Sequence, residues 1–148
     1  MIARRVLFIL AVGTLAVALA ACGGGNKHEG EAASPYKTDE KPRATVTVGL
    51  VEWAVNPDTA RVAPGPVQFV ARNESTSMYH ELVVLRVKDG GDYENTGEIE
   101  DLAPGTSGKL TLKLPPGKYV LACQIAKGER GSPVDHFQQG MHTPFEVR

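Results

Sequence analysis

The chain has 148 residues, which is the usual size of one domain. Its 16 Lys and Arg residues nearly balance 17 Asp and Glu residues, so the formal net charge is only −1. The sequence contains no basic patch interleaved with aromatic residues. This composition argues against nucleic acid as a partner.

The first 22 residues have the pattern of a cleavable signal peptide. Arg4 and Arg5 form a short basic region, and residues 6–19 are an apolar run. The run ends in Leu-Ala-Ala-Cys at 19–22, which is similar to the bacterial lipobox, where cleavage precedes the cysteine and its thiol is acylated. We therefore expect Cys22 to anchor a lipoprotein in the cell membrane, on its periplasmic or extracellular side. An ordinary secretory signal followed by a chance cysteine is the alternative.

Residues 23–43 predict a flexible tether, because they combine many charges and two prolines with no apolar period. A flexible coil of about 20 residues spans roughly 25 Å on average, so it would hold a domain clear of the bilayer yet near membrane partners. The remainder of the chain, residues 44–148, is predicted to be the folded domain.

The pattern of residues 44–148 is typical of β-strands. At 45–50 the sequence TVTVGL places apolar side chains on one face, and KLTLKL at 109–114 alternates in the same way. The predicted strands cover residues 45–50, 67–72, 80–88, 109–114, 118–125 and 145–147. Turn signals such as Pro-Gly and Asp-Gly separate them roughly every ten residues, which predicts an all-β antiparallel sandwich or barrel.

Two other parts of this domain are assigned from their composition. The acidic segment 92–101 lacks β alternation, and we expect it to be a long connection with a helical turn. Trp53 is expected to lie in the core, as a large apolar side chain usually does.

Four side chains that bind soft metal ions occur near the ends of the predicted strands. His80 begins one strand, Cys123 lies near the end of another, and His136 and Met141 follow in the last loop. Acylation of Cys22 would leave Cys123 without a disulfide partner, and a metal is the obvious occupant of a lone thiol in an oxidising compartment. Two His and one Cys with a weak axial Met are typical of blue copper, whereas zinc has little use for a thioether.

Each of the four residues also has a purely structural interpretation. His80 would be a buried core histidine, Cys123 and Met141 would pack in the core, and His136 would be an ordinary loop residue. The joint arrangement favours a metal site over these separate assignments. Met78 and His142 lie beside the predicted ligands and are further candidates.

The domain resembles the cupredoxins, the family of plastocyanin, azurin and amicyanin. Three stretches carry the resemblance: FVARN with HELVV at 69–73 and 80–84, GKLTLKLPPGKYVLAC at 108–123, and HFQQGMHTPFEV at 136–147. The resemblance implies a Greek-key β-sandwich of about seven or eight strands. It also implies one copper ion, alternating between Cu(I) and Cu(II), with His80, Cys123 and His136 as equatorial ligands and Met141 as the axial ligand.

The sequence departs from the family pattern at two places. Twelve residues separate Cys123 from His136, where the family usually has only a few. We expect the added stretch, around 127–135, to be a surface excursion that reshapes or partly covers the edge of His136 where the family exchanges electrons. Glu81 stands where many relatives have Asn, so the groups around the ligands are expected to differ.

The resemblance implies one-electron transfer between redox protein partners at the membrane, by a monomer without a catalytic residue of its own. Copper storage or delivery is the alternative, and it would need a more open site. A multicopper oxidase or copper nitrite reductase would need further histidines in His-x-His patterns, and the sequence contains none.

Overall fold

The computed structural model describes residues 34–148, and this part of the chain contains nine strands and one short 3-10 turn at Glu129–Gly131. The strands are β1 (Ala44–Val51), β2 (Ala54–Pro57), β3 (Arg61–Val62), β4 (Gly65–Asn73), β5 (His80–Val87), β6 (Tyr93–Leu102), β7 (Ser107–Leu114), β8 (Gly117–Ala122) and β9 (His142–Val147). The predicted all-β sandwich is confirmed. Within these residues, no helix has the length and apolar character needed to cross a membrane.

The strands form two sheets that pack face to face. One sheet has the order β2-β1-β4-β7, and the other has the order β3-β9-β8-β5-β6. The alternation predicted for β1 and β7 sends every second side chain into the space between the sheets, and Val46, Val48 and Leu112 are fully buried there. Phe69 and Phe145, from opposite sheets, meet edge to face with ring centroids 5.7 Å apart.

The acidic segment is a strand, so its assignment as a connection with a helical turn was wrong. It forms β6, the edge strand of the second sheet, and pairs antiparallel with β5. The pairing contains two register irregularities. They interrupt the alternation of apolar and polar residues by which a strand is recognised in a sequence. An edge strand also leaves its acidic side chains in water, while Thr96 and Ile99 face inward.

The part of the predicted tether that the structure describes, residues 34–43, lies along β7. The backbone N–H of Thr38 donates to the Thr111 carbonyl, and that of Lys113 donates to the Tyr36 carbonyl, at 3.2 and 2.8 Å. The Tyr36 ring packs against the core. An edge strand offers unpaired backbone groups, and an aromatic side chain beside it is enough to hold a short segment there. The signal peptide, Cys22 and residues 23–33 lie outside the described residues.

A buried asparagine fixes the loop between β4 and β5. The Asn73 amide donates to the carbonyls of Met78 and Leu102, both at 2.8 Å, and its oxygen accepts from the Ser75 N–H at 2.9 Å. Asn73 is fully buried, so these bonds replace those that water would make. The loop therefore delivers His80 to the start of β5 in one conformation.

We predict that Asn73→Ala lowers the free energy of unfolding by about 2–4 kcal/mol, because buried carbonyls and an N–H lose their partners. Urea unfolding of the metal-free protein measures this change. The exposed Asn56 on β2 provides the matched control, and Asn56→Ala should change stability by no more than about 0.5 kcal/mol. Equal effects of the two variants would contradict the assigned role of Asn73.

Candidate metal centre

Three of the four predicted ligands meet in one buried cluster. The Nδ1 atoms of His80 and His136 lie 3.2 Å apart, and the Cys123 sulfur lies 3.3 Å from the His136 Nδ1 and 3.9 Å from the His80 Nδ1. All three residues are fully buried. Within residues 34–148 they are the one group of three or more His, Cys, Asp or Glu side chains that could hold a metal ion.

Strand pairing explains how residues distant in sequence meet. β5 and β8 are neighbouring antiparallel strands, with Val83 opposite Ala122, so the start of β5 and the end of β8 lie at the same end of the sheet. This places His80 beside Cys123, which directly follows β8.

The loop after β8 brings His136 and Met141 back to the end of the sheet where His80 and Cys123 lie. The His136 N–H donates to the Ile125 carbonyl at 2.9 Å, and the Met141 N–H donates to the His136 carbonyl at 3.1 Å. The Cys123 N–H donates to the Met141 carbonyl at 3.0 Å, and Met141 is fully buried. The backbone of Met141 is thus tied to two members of the cluster, while its role as axial ligand stays a prediction.

The distances within the cluster fit a single metal ion. Ligand atoms at about 2.0–2.3 Å from one ion in a trigonal plane stand roughly 3.5–3.8 Å apart, with sulfur giving the longer values. The three separations observed here, 3.2 to 3.9 Å, bracket that range. A thiolate and two imidazoles with a methionine close by are a donor set that suits copper.

Burial keeps the three donors uncharged when no metal is bound. Burial raises the pKa of the Cys123 thiol to about 11, although the backbone N–H groups of Ile125 and Glu81 pull it in the opposite direction. Burial and the adjacent His136 lower the pKa of His80 to about 4, and burial also lowers the pKa of His136. The site is therefore a neutral thiol with two neutral imidazoles at pH 7, and it gains its negative charge by releasing a proton to bind a cation.

The added stretch before His136 contacts the outer edge of that ring through Ser132. The Ser132 hydroxyl lies 2.9 Å from the His136 Nε2, and it donates its own proton to the Val134 carbonyl at 2.8 Å. Ser132 must then accept from Nε2–H, which leaves the Nδ1 lone pair free to face Cys123. An ion pair between Arg130 and Asp101 fastens the stretch to β6.

The turn between β1 and β2 supplies two neighbours of the cluster that sequence reasoning missed. Trp53 is half-buried and lies edge-on to the His136 ring, with centroids 5.0 Å apart, so its assignment to the core was wrong. Glu52 Oε1 lies 4.0 Å from the His80 Nε2. The hydrogen bond donated by the Ser75 hydroxyl is the main reason that the pKa of Glu52 is lowered. Glu52 and Trp53 lie in a turn, where no alternation of apolar and polar residues shows which way a side chain points. The sequence therefore did not predict either contact.

The remaining residues singled out from the sequence lie around the cluster. Glu81 Oε1 accepts from the Gln124 N–H at 2.9 Å, which ties the start of β5 to the residue after Cys123. His142 is exposed and stacks on Phe137, with centroids 4.6 Å apart, and it is not part of the cluster. Met78 is half-buried in the loop before His80, and its carbonyl accepts from Asn73.

Solved structures with a similar fold include the auracyanins. Auracyanin B aligns with a TM-score of 0.59 and 19% identity over 78% of this chain and 96% of its own. Auracyanin A, a blue copper protein of the green thermophilic photosynthetic bacterium Chloroflexus aurantiacus, aligns with a TM-score of 0.53 and 17% identity over 70% of this chain and 98% of its own. Reduced auracyanin of the photosynthetic bacterium Roseiflexus castenholzii gives 0.52 and 20%, over 71% and 95%.

These similarities show that the chain has the cupredoxin fold, as the three sequence stretches predicted. No protein-family model matches the chain. No curated protein matches it either.

We predict that metal binding becomes tighter with rising pH. Above about pH 7 the lowered pKa values of His80 and His136 leave both imidazoles neutral, while the Cys123 thiol, with a pKa of about 11, is still protonated, so each bound ion displaces one proton. The apparent Kd for Zn²⁺, a redox-silent probe, should therefore fall about tenfold for each pH unit between about 7 and 9. Competition titrations at several pH values measure the slope.

Cys123→Ser is the control for this titration, because it removes the group that releases the proton. It should weaken zinc binding and flatten the slope. A wild-type Kd that does not change with pH would contradict the protonation states assigned to the cluster.

Proposed function

We propose that this chain is a type 1 copper protein that carries out one-electron transfer between redox protein partners. The observation that carries the proposal is the convergence of Cys123, His80 and His136 in one buried cluster of a cupredoxin fold. Bound copper would supply the one-electron couple between Cu(I) and Cu(II). His80, Cys123 and His136 would hold it, with Met141 as the proposed fourth ligand.

The chain's own contribution is to hold the three metal-binding side chains in place and to exclude water from them. His80 begins a central strand, Cys123 is bonded through its backbone to Met141, and Ser132 orients the ring of His136. A site whose donors cannot rearrange changes little when the charge of the ion changes, which favours rapid electron exchange. Full burial of the three donors also supports electron transfer over copper storage or delivery, since an ion leaves a closed site slowly.

The lipid anchor is also part of the proposal. The lipobox-like sequence at Cys22 supports acylation there, by palmitate or a similar chain, and a lipoprotein held on the periplasmic or extracellular face of the cell membrane. Within the described residues Cys123 is a free thiol, as expected if it is reserved for the metal. We propose a monomer without enzymatic activity, whose partners are redox proteins at that membrane.

The first test of the function is the visible spectrum. Adding Cu²⁺ to the purified protein should give an intense blue thiolate-to-copper band, because Cys123 would bind the ion as a thiolate beside two imidazoles. Cys123→Ser should lose the band. His142→Ala, which changes an exposed histidine next to Met141, should keep it. A colourless protein that instead passes Cu⁺ to a chelator would favour the delivery function.

The second test concerns the stretch that covers His136. Deleting residues 127–134 removes Ser132 and exposes the His136 ring edge, so reduced protein should be oxidised faster by ferricyanide in stopped-flow experiments. Rates with different redox proteins should change unequally, because the covered surface would be part of what each partner contacts. Lys127→Ala, an exposed change in the same stretch, is the control. An unchanged rate with ferricyanide and with every partner would contradict the proposal that this stretch limits electron exchange at His136.

A further inference from the structure

The far nitrogen of His80 lacks a hydrogen-bond partner. Its Nε2 is the single buried side-chain N or O atom left without one among the described residues. If Nδ1 faces the metal, as it faces Cys123 and His136 here, the neutral ring must carry its proton on Nε2. A buried N–H without an acceptor is costly, and metal-bound histidines almost always donate this proton to a neighbouring oxygen.

The carboxylate of Glu52 is placed next to this nitrogen. Its Oε1 lies 4.0 Å from Nε2, which is about 1 Å longer than an N–H···O hydrogen bond. The same oxygen accepts a hydrogen bond from the Ser75 hydroxyl. The Glu52 side chain is 32% exposed, so it has room for the small rotation that would bring Oε1 within hydrogen-bond distance of Nε2.

Ser75 holds the carboxylate through bonds that fix the direction of its own proton. The Ser75 oxygen accepts from the N–H groups of Ser77 and Met78 at 3.1 and 2.8 Å, so its hydrogen is left to point at Glu52. The Ser75 N–H is in turn bound by the buried Asn73. Glu52 is therefore anchored on the loop that precedes His80, and it faces the outer nitrogen of that ring.

We propose that Glu52 is a positioning residue for His80: its carboxylate accepts a hydrogen bond from the Nε2–H group, and its negative charge tunes the bound metal. The part concerning the reduction potential rests on the proposed copper function. A negative charge behind one ligand stabilises the more positive Cu(II) state relative to Cu(I), and so lowers the reduction potential. The two imidazoles then differ, because His136 faces the neutral hydroxyl of Ser132 while His80 faces a carboxylate.

The test compares Glu52→Gln with Glu146→Gln. Glutamine keeps the size and one acceptor oxygen of Glu52 but removes the charge. The control Glu146→Gln removes the same charge from β9. Glu146 lies opposite Lys118 at the start of β8, at the end of the sheet away from the cluster. The midpoint potential of the copper-loaded protein should rise in Glu52→Gln and stay at the wild-type value in Glu146→Gln. Equal potentials in wild type and Glu52→Gln would overturn the electrostatic role.

A second measurement needs no redox chemistry. In zinc-loaded protein with ¹⁵N-labelled histidine, the His80 Nε2–H should exchange slowly with water in the wild type and faster in Glu52→Ala. An exchange rate that Glu52→Ala leaves unchanged would overturn the hydrogen bond. If copper gives no blue band, the proposed function fails, and the zinc experiment still decides whether Glu52 holds His80.

Discussion

The antiparallel pairing of β5 with β8 is the constraint on which the centre depends. It brings the first residue of one strand and the residue after the other to the same end of a sheet, and these two are His80 and Cys123. The pairing of β8 with β9 continues the arrangement, because Ala122 lies opposite His142 and Met141 is carried to the same edge. His136 lies well inside the loop between β8 and β9, and backbone bonds to Ile125 and Met141 close that loop. The centre is thus a consequence of sheet register, with one ligand added.

The neutrality of the donors lets the fold exist before any metal binds. A buried thiolate or imidazolium would cost several kcal/mol, whereas a thiol and two neutral imidazoles carry no charge into the core. Within residues 34–148 the one buried side-chain N or O atom without a hydrogen-bond partner is the His80 Nε2. A cation that displaces the thiol proton then creates the charge it needs in a site already shaped to receive it.

Much of this centre could be predicted from the sequence because its ligands sit next to strong local patterns. His80 and Cys123 adjoin strands with continuous apolar runs, and His136 lies in the loop that leads to the last strand. β6 could not be predicted, since its irregular pairing and exposed acidic residues hide the period of a strand. Glu52 and Trp53 could not be predicted either, because a turn reaches the ligands only after the two sheets pack.

The added stretch and the β1–β2 turn both contact His136 from outside the cluster. Each provides a neighbour to His136, one buried and one half-exposed: Ser132 orients the ring, and Trp53 contacts its edge. With His136 fully buried, its connection to solvent runs through side chains and not through the ring itself. A partner would therefore meet Trp53 and the 127–134 surface before any ligand. If the proposed function holds, the same elements that cover the donors would also determine which surface of the protein is offered for electron exchange.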